Sequence, residues 1–519
     1  GQNFNTTPGN NIVFFGATSA TVTGSTSTSL TVLVPLGANY QYISVTNLAT
    51  KFTAYSPLPF AVNYPTAAGA YNSFAPAVNR VVGTDALQHV IKDFNGDGLP
   101  DIVITSYNDS RVYLFTNTTS AGSSSITFNG PVTLTTPSAL IALAADDLDG
   151  DGKPDLAISS WTSSTLYIYK NVSTVGGSVS FTNTNIALSA IQSYNLAIGD
   201  LDLDGRPDIV MSSNTGSTLN IYRNTSASGT INFDPALSPA VATAAGVVRV
   251  VIGDIDGDGK PDLVTANTTN NTLSLLRNTV TGPGSITFAT AYSLAVGRSA
   301  YGVALGDINN DGKLDIATAN SDNTLSVFLN NALSGTIGAS SFSPSIVVTG
   351  TNAAIAGYTT VAISDIDGDG KNDLVAVAGN TNIATSAISV FKNTTTGTST
   401  ATFTGQTDYF TQSATTAGIY FASALSVVDL NKDGLLDMVT TNRYASSLSI
   451  FRNIQLTPPI YITSFSPTSG PISTTVTIAG SGFGSTTATN VVFFGDTQAT
   501  VLPGSPSTCL LVTVPYGVN

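Results

Sequence analysis

The stretch Asp254-Ile-Asp-Gly-Asp-Gly-Lys-Pro-Asp262 stands between two apolar runs, Val247-Val-Arg-Val-Val-Ile-Gly253 and Leu263-Val-Thr-Ala266. It places acidic side chains at positions 1, 3, 5 and 9 of a short loop and Gly at position 6, where a sharp turn needs one. The same pattern, Asp-x-Asp/Asn-x-Asp-Gly-x-x-Asp, begins at Asp93, Asp147, Asp200, Asp254, Asp307, Asp365 and Asp429. The interval is nearly constant over the first five starts and lengthens before Asp365 and Asp429. A Phe precedes each start at a similar separation (Phe74, Phe128, Phe181, Phe233, Phe288, Phe342, Phe403). An Asn follows each start in the same way (Asn117, Asn171, Asn224, Asn278, Asn330, Asn393, Asn453). Three markers recurring seven times in one order define a repeat protein.

Each unit reads as four short strands. In the fourth these are Val247–Gly253, Leu263–Ala266, Thr272–Arg277 and Ile286–Leu294. Units of this length with four strands suggest propeller blades, with a solenoid as the alternative. The ends favour closure. No strand follows Asn453 in its unit, since Leu456-Thr-Pro-Pro leads elsewhere, while its equivalent, Ser73–Val78 around Phe74, precedes the first loop. An N-terminal strand that completes the last blade leaves no open sheet edge. The expected fold class is therefore all-β, a seven-bladed β-propeller over residues 61–454.

Composition agrees. The 519 residues carry 32 acidic against 18 basic side chains, a formal charge of −14, and the acids are all Asp. Without Glu, and rich in Thr, Ser, Asn, Gly and Val, the chain is a poor helix former. Mean hydropathy is +0.22 and the isoelectric point is near 4.2. That balance argues against nucleic-acid partners and anionic membranes. No apolar run approaches the ~18 residues of a membrane span, and no secretory signal pattern opens the chain. Its first residue, Gly1, reads as that of a processed or excised piece. One Cys (Cys509) and one His (His89) exclude disulfide frameworks, cysteine zinc sites and multi-histidine centres.

The loops themselves carry the chemistry. Hard oxygen ligands with several negative charges suit calcium better than zinc or copper. The candidate ligands are Asp93, Asn95, Asp97 and Asp101; Asp147, Asp149, Asp151 and Asp155; Asp200, Asp202, Asp204 and Asp208; and Asp254, Asp256, Asp258 and Asp262. The last three loops supply Asp307, Asn309, Asp311 and Asp315; Asp365, Asp367, Asp369 and Asp373; and Asp429, Asn431, Asp433 and Asp437. Position 7 offers a backbone carbonyl from Leu99, Lys153, Arg206, Lys260, Lys313, Lys371 or Leu435. Twenty-five of the 32 acids lie in these loops, and seven calcium ions would cancel the formal −14. The alternative is an Asx-rich turn with no metal, which seven copies of unchanged internal spacing disfavour. The loops with Asn at position 3 are expected to be the weaker sites.

These units resemble the FG-GAP/VCBS repeats of integrin-alpha-type propellers across residues 61–454. The resemblance implies calcium in the hairpin between a blade's first two strands, on one rim.

The chain ends resemble each other. Asn11-Ile-Val-Phe-Phe-Gly-Ala-Thr-Ser-Ala-Thr-Val matches Asn490-Val-Val-Phe-Phe-Gly-Asp-Thr-Gln-Ala-Thr-Val at an offset of 479. After a one-residue gap, Val34-Pro-Leu-Gly-Ala-Asn matches Val514-Pro-Tyr-Gly-Val-Asn. Residues 1–60 hold a downstream part and 455–519 an upstream part of what looks like one IPT/TIG domain, a small immunoglobulin-like sandwich. A window on a tandem array with a period near 480 explains the duplication. Half-sandwiches completing each other between protomers is the alternative.

Five further residues stand apart from the repeat. Tyr107, Trp161 and Tyr444 fall in equivalent loops on the rim opposite the Asp loops and could stack on sugars, although filling the loop is the simpler role. His89 occupies a slot that is Leu or Val in the other blades and reads as a satisfied strand histidine. Cys509, in an apolar strand, reads as a small core residue. The expected function is a non-enzymatic, calcium-stabilised repeating unit of a secreted or cell-surface adhesin, stalk or filament, outside a bacterial cell. Its partners would be neighbouring copies of the same unit. A glycan- or protein-binding module using the Trp161 rim is the alternative, and an extracellular lyase or hydrolase a third.

Overall fold

The computed structural model describes residues 1–35, 38, 41–60, 74–136, 139–162, 165–187, 193–213, 216–227, 229–235, 237, 241–352, 355, 357–378, 386–411, 424–443, 445–454, 461–481, 483, 490, 492–494, 497–502 and 509–515. Among these, seven four-stranded antiparallel sheets succeed one another along the chain. Blade one is Ala86–Lys92, Asp101–Ser106, Arg111–Asn117 and Phe128–Thr135; blades two to six span 140–187, 193–242, 247–295, 300–349 and 358–410. Blade seven joins Leu425–Val428, Asp437–Asn442 and Ser447–Phe451 to the distant strand Val78–Val81.

That last pairing closes the ring. Val81 lies opposite Ser447 and Val78 opposite Ile450, and Phe74 forms a bridge with Asn453. The expected closing strand is thus present, shifted a few residues C-terminal of Ser73–Val78. First strands of successive blades touch around the ring, that of blade seven touching blade one.

The second strand of every blade is buried at all six positions, as in Asp101–Ser106 and Asp437–Asn442. No in–out alternation is left because neighbouring blades cover both faces, which favours β-branched residues there. Seven apolar clusters follow, one per seam. Ile102, Ile104, Val439 and Leu448, for instance, join blades one and seven. Each such side chain contributes about 1.5–3 kcal/mol by leaving water, so the seams supply the main cohesion of the ring.

The fourth strand of blade four departs from expectation. Phe288 makes only an isolated bridge to Asn278, and regular pairing resumes at Tyr292–Ala295. His89 is also only half satisfied: its Nε2 lies 2.9 Å from Ser426 Oγ, while buried Nδ1 meets no hydrogen-bond partner. Cys509 is half-buried rather than a core residue.

The two flanking segments carry the same hairpin. Val13, Phe14 and Phe15 face Ala20, Ser19 and Thr18, as Val492, Phe493 and Phe494 face Ala499, Gln498 and Thr497. In the N-terminal segment it belongs to a sheet with Gln41–Asn47 and Phe52–Phe60. In the C-terminal segment it joins Cys509–Thr513, Thr475–Ser481 and Tyr461–Ser466. Among the described residues no helix is long and apolar enough to cross a membrane.

The N-terminal segment seats on the Asp-loop rim of blades one to four. Asp93 N–H donates to Ala17 O (3.0 Å), Ser19 Oγ to Asp93 Oδ2 (2.8 Å) and Tyr55 Oη to Asp146 Oδ2 (2.8 Å). Lys92 reaches Gly16 O, and Arg206 lies over the Phe52 ring. Close approach needs glycine here. A Cβ on Gly150 would sit 2.2 Å from Lys51 O, and one on Gly205 2.7 Å from Phe52 Cβ.

Candidate metal centres

Each Asp loop links the first strand of a blade to the second, and its ninth residue is the first residue of that second strand. The seven loops share one hydrogen-bond pattern. The position-1 carboxylate accepts the N–H of position 5 at 3.0–3.2 Å and of position 6 at 2.7–2.8 Å. The position-5 carboxylate accepts the N–H of position 7 at 2.8–3.1 Å. Gly at position 6 lies in the left-handed region, as at Gly312 with φ +84°, which explains why no other residue type appears there.

The ninth carboxylate is held from two sides. One oxygen accepts the N–H of position 2 at 2.8–3.2 Å, the other the N–H of the marker Asn at 2.7–2.8 Å. The Asn side chain then joins two blades. Its Nδ2 donates to the position-8 carbonyl of its own loop and to the position-2 carbonyl of the preceding blade's loop. In blade one, Asn117 reaches Leu430 O of blade seven at 2.9 Å, so the links run round the ring. The marker Phe lies opposite this Asn in every blade, from Asn117–Phe128 to Asn453–Phe74.

In four loops, carboxylate oxygens of positions 1, 3 and 9 lie within 4.8 Å of one another: Asp147, Asp149 and Asp155; Asp200, Asp202 and Asp208; Asp254, Asp256 and Asp262; Asp365, Asp367 and Asp373. The position-5 residues Asp151, Asp204, Asp258 and Asp369 are not in these groups, being turned to the position-7 N–H and to basic side chains. Loops one, five and seven have Asn95, Asn309 and Asn431 at position 3 and keep the same backbone pattern.

Burial pushes the position-9 carboxyls up, Asp101, Asp208 and Asp262 to about 8 and Asp315 to about 7. Asp155, Asp373 and Asp437 are driven well above the usual range. Burial, reinforced by neighbouring acids, likewise raises position 1, with Asp147, Asp200, Asp365 and Asp429 at about 7. Buried carboxylates this close repel, and a cation removes the penalty. The donor set is all oxygen and converges on one point, so these loops could hold a hard divalent ion.

The repeat pattern of the FG-GAP-like repeat family matches residues 93–158, 147–211, 200–265, 254–318, 307–376 and 365–440. The chain belongs to the FG-GAP-like repeat family. Each FG-GAP-like match runs from one Asp loop into the second strand of the next blade. Residues 459–519 match the IPT/TIG domain.

The fold is similar to that of the BBS1 N-terminal domain solved with ARL6 after a lead soak (10% identity, TM-score 0.45, covering 74% of this chain and 98% of that one). An Agrocybe aegerita lectin specific for non-reducing terminal N-acetylglucosamine is also similar (16%, 0.42, 72% and 89%). So is the Nup170 N-terminal domain of Chaetomium thermophilum in complex with Nup53 (10%, 0.43, 73% and 62%). No curated protein matches the chain in sequence.

On the opposite rim, Trp161 and Tyr107 are half-buried and pack against the apolar seam of blades two and three. Trp161 lies 4.8 Å from the Tyr194 ring, and Arg443 sits 5.8 Å from the Tyr107 ring while paired with Asp85. Tyr444 lies outside the described residues. Two features escaped the sequence reading: the blade-linking role of the marker Asn, and the basic residue before it that pairs with the position-3 Asp in four blades. The second was visible as Lys170, Arg223, Arg277 and Lys392, each one position before its Asn.

Proposed function

We propose that the chain is a calcium-stabilised, non-enzymatic repeating unit of a secreted or cell-surface adhesin, stalk or filament, working outside a bacterial cell. The observation that carries this is the common geometry of the loops, with buried carboxylates converging within 4.8 Å in four of them. A metal site repeated around a ring serves stability better than catalysis, which needs one distinctive centre. At free calcium 100-fold above its dissociation constant, each site adds about 2.7 kcal/mol to the folded state. Only an extracellular calcium level keeps sites of moderate affinity filled. FG-GAP-like and IPT/TIG units together fit such a setting.

The identical hairpin register of Val13–Phe15 with Thr18–Ala20 and of Val492–Phe494 with Thr497–Ala499 supports a sandwich module recurring with a period near 480, one propeller between successive copies. Neighbouring copies of the same unit are then the natural partners. The test is thermal unfolding with calcium and after exhaustive EGTA treatment, with bound ions counted by elemental analysis. About seven ions and a large melting shift are expected; few ions and no shift would reject the proposal. An intact native mass equal to the 53.1 kDa of this single chain would reject the covalent array. The glycan-binding alternative predicts a glycan-array signal that Trp161→Ala removes.

A further inference from the structure

Four of the seven loops carry Asp at position 3 and three carry Asn, and the choice is matched on another strand. Where position 3 is Asp149, Asp202, Asp256 or Asp367, the residue before the marker Asn is Lys170, Arg223, Arg277 or Lys392. Where it is Asn95 or Asn309, that residue is Thr116 or Leu329. At Asn431 it is Arg452, whose guanidinium donates to the Asn453 carbonyl instead.

The contacts explain the match. Arg223 places Nε 2.5 Å from Asp202 Oδ2 and Nη2 2.9 Å from Asp204 Oδ2. Arg277 does the same to Asp256 and Asp258 at 2.8 and 3.1 Å. Lys170 pairs with Asp149 and lies 3.4 Å from Asp151; Lys392 pairs with Asp367 and lies 3.0 Å from Asp369. In the Asn loops the side-chain amide takes over. Nδ2 of Asn95, Asn309 and Asn431 donates to Oδ2 of Asp97, Asp311 and Asp433 at 3.0, 3.3 and 2.8 Å. In all seven loops, therefore, the position-5 Oδ2 meets a donor, and the position-3 Oδ1 accepts the position-5 N–H at 3.1–3.4 Å.

We propose that Lys170, Arg223, Arg277 and Lys392 are positioning residues of the metal loops, each offsetting the extra position-3 carboxylate. Asp with a cation and Asn without one are then interchangeable ways to build the same site, and the Asn loops match the Asp loops in calcium affinity. The inference rests on the calcium reading above.

The test is a double-mutant cycle in loop two of the full chain, read by equilibrium dialysis against calcium. A unit charge a few ångströms from a divalent ion changes its affinity by about tenfold or more. D149N leaves an unmatched cation and moves one bound ion to higher free calcium. K170T leaves an unmatched carboxylate and moves one ion to lower free calcium. D149N/K170T reproduces the chemistry of loop one and superimposes on the parent curve. A purely structural lysine would give shifts of one sign that do not cancel. A double variant that keeps the D149N displacement, or two single variants shifted the same way, overturns the inference. A parent chain that binds no calcium overturns the calcium reading itself, a separate result. If K170T does not fold, D256N, R277T and their combination repeat the cycle in loop four.

Discussion

Replacing Asn278 by Ala tests the ring of side-chain links directly. The residue is fully buried. Its Nδ2 donates to Leu201 O of blade three at 2.8 Å and to Pro261 O at 3.0 Å, and its Oδ1 accepts Val280 N–H at 2.9 Å. Asn278→Ala strips the partner from two carbonyls and one N–H. A buried group left unpaired costs about 1–3 kcal/mol. Partial relaxation and water entry reduce the sum, so the expected loss is about 3–5 kcal/mol. Asn278→Asp should cost more at neutral pH, since it points a carboxylate at two carbonyl oxygens. Thr279→Ala, which removes an exposed hydroxyl contact to Thr287, should stay within about 0.5 kcal/mol. Urea unfolding followed by the fluorescence of Trp161, the one tryptophan, measures all three. A loss below about 1 kcal/mol for Asn278→Ala would refute the argument that these links bind blade to blade.

Three further outcomes are expected. In EGTA the melting temperature should fall as pH rises from 5 to 9. The folded carboxyls titrate near 7 to 8 rather than 3.8, so the folded state holds extra protons whose stabilisation is lost through that window. Saturating calcium should reverse the trend, and equal slopes in both conditions would contradict it. His89, held neutral down to about 3 by burial and by Arg249, costs stability below pH 6.5, where the unfolded chain takes up a proton. His89→Leu should therefore gain about 2 kcal/mol over the parent between pH 7 and 5 in urea titrations; a constant difference would count against it. Gly205→Ala and Gly312→Ala strain equivalent turns, but only the first meets Phe52. Residues 1–60 should become protease-sensitive in Gly205→Ala alone, and equal sensitivity in both would deny the docking.

Much of this architecture was legible because the loops are spelled by spacing. Asp at positions 1, 3, 5 and 9 with Gly at 6 is a local pattern, and its seven copies declare the number of blades. Phe74 ahead of the first loop announced the closing strand, because the chain after its partner Asn453 turns to Leu456-Thr-Pro-Pro where a fourth strand would begin. What stayed hidden was non-local. That Asn171 reaches Phe94 O in the previous blade follows from how blades stack, which no spacing within a unit encodes. The seating of Ser19 on Asp93 depends on a surface match between segments 74 residues apart. Regular pairing at Tyr292 rather than Ile286 turned on an irregularity after the Phe288 bridge, to which strand propensity is blind.

The closing strand also decides how the molecule would yield if pulled. The incoming chain at Phe74 and the outgoing chain at Asn453 leave blade seven from the same end, with Ala75 N–H bonded to Arg452 O there. Tension between the flanking segments would open this pairing like a zip, rung by rung from Phe74 to Val81, instead of sliding the strands past each other. The N-terminal segment, clamped on the Asp-loop rim, stands in series ahead of that zip and takes the load first. In single-molecule extension the segment should detach before the ring opens, and calcium should raise the force of the first event. A first rupture that releases the length of whole blades would contradict this order. Joined in an array, such units would form a strand that lengthens in small steps before any blade is lost.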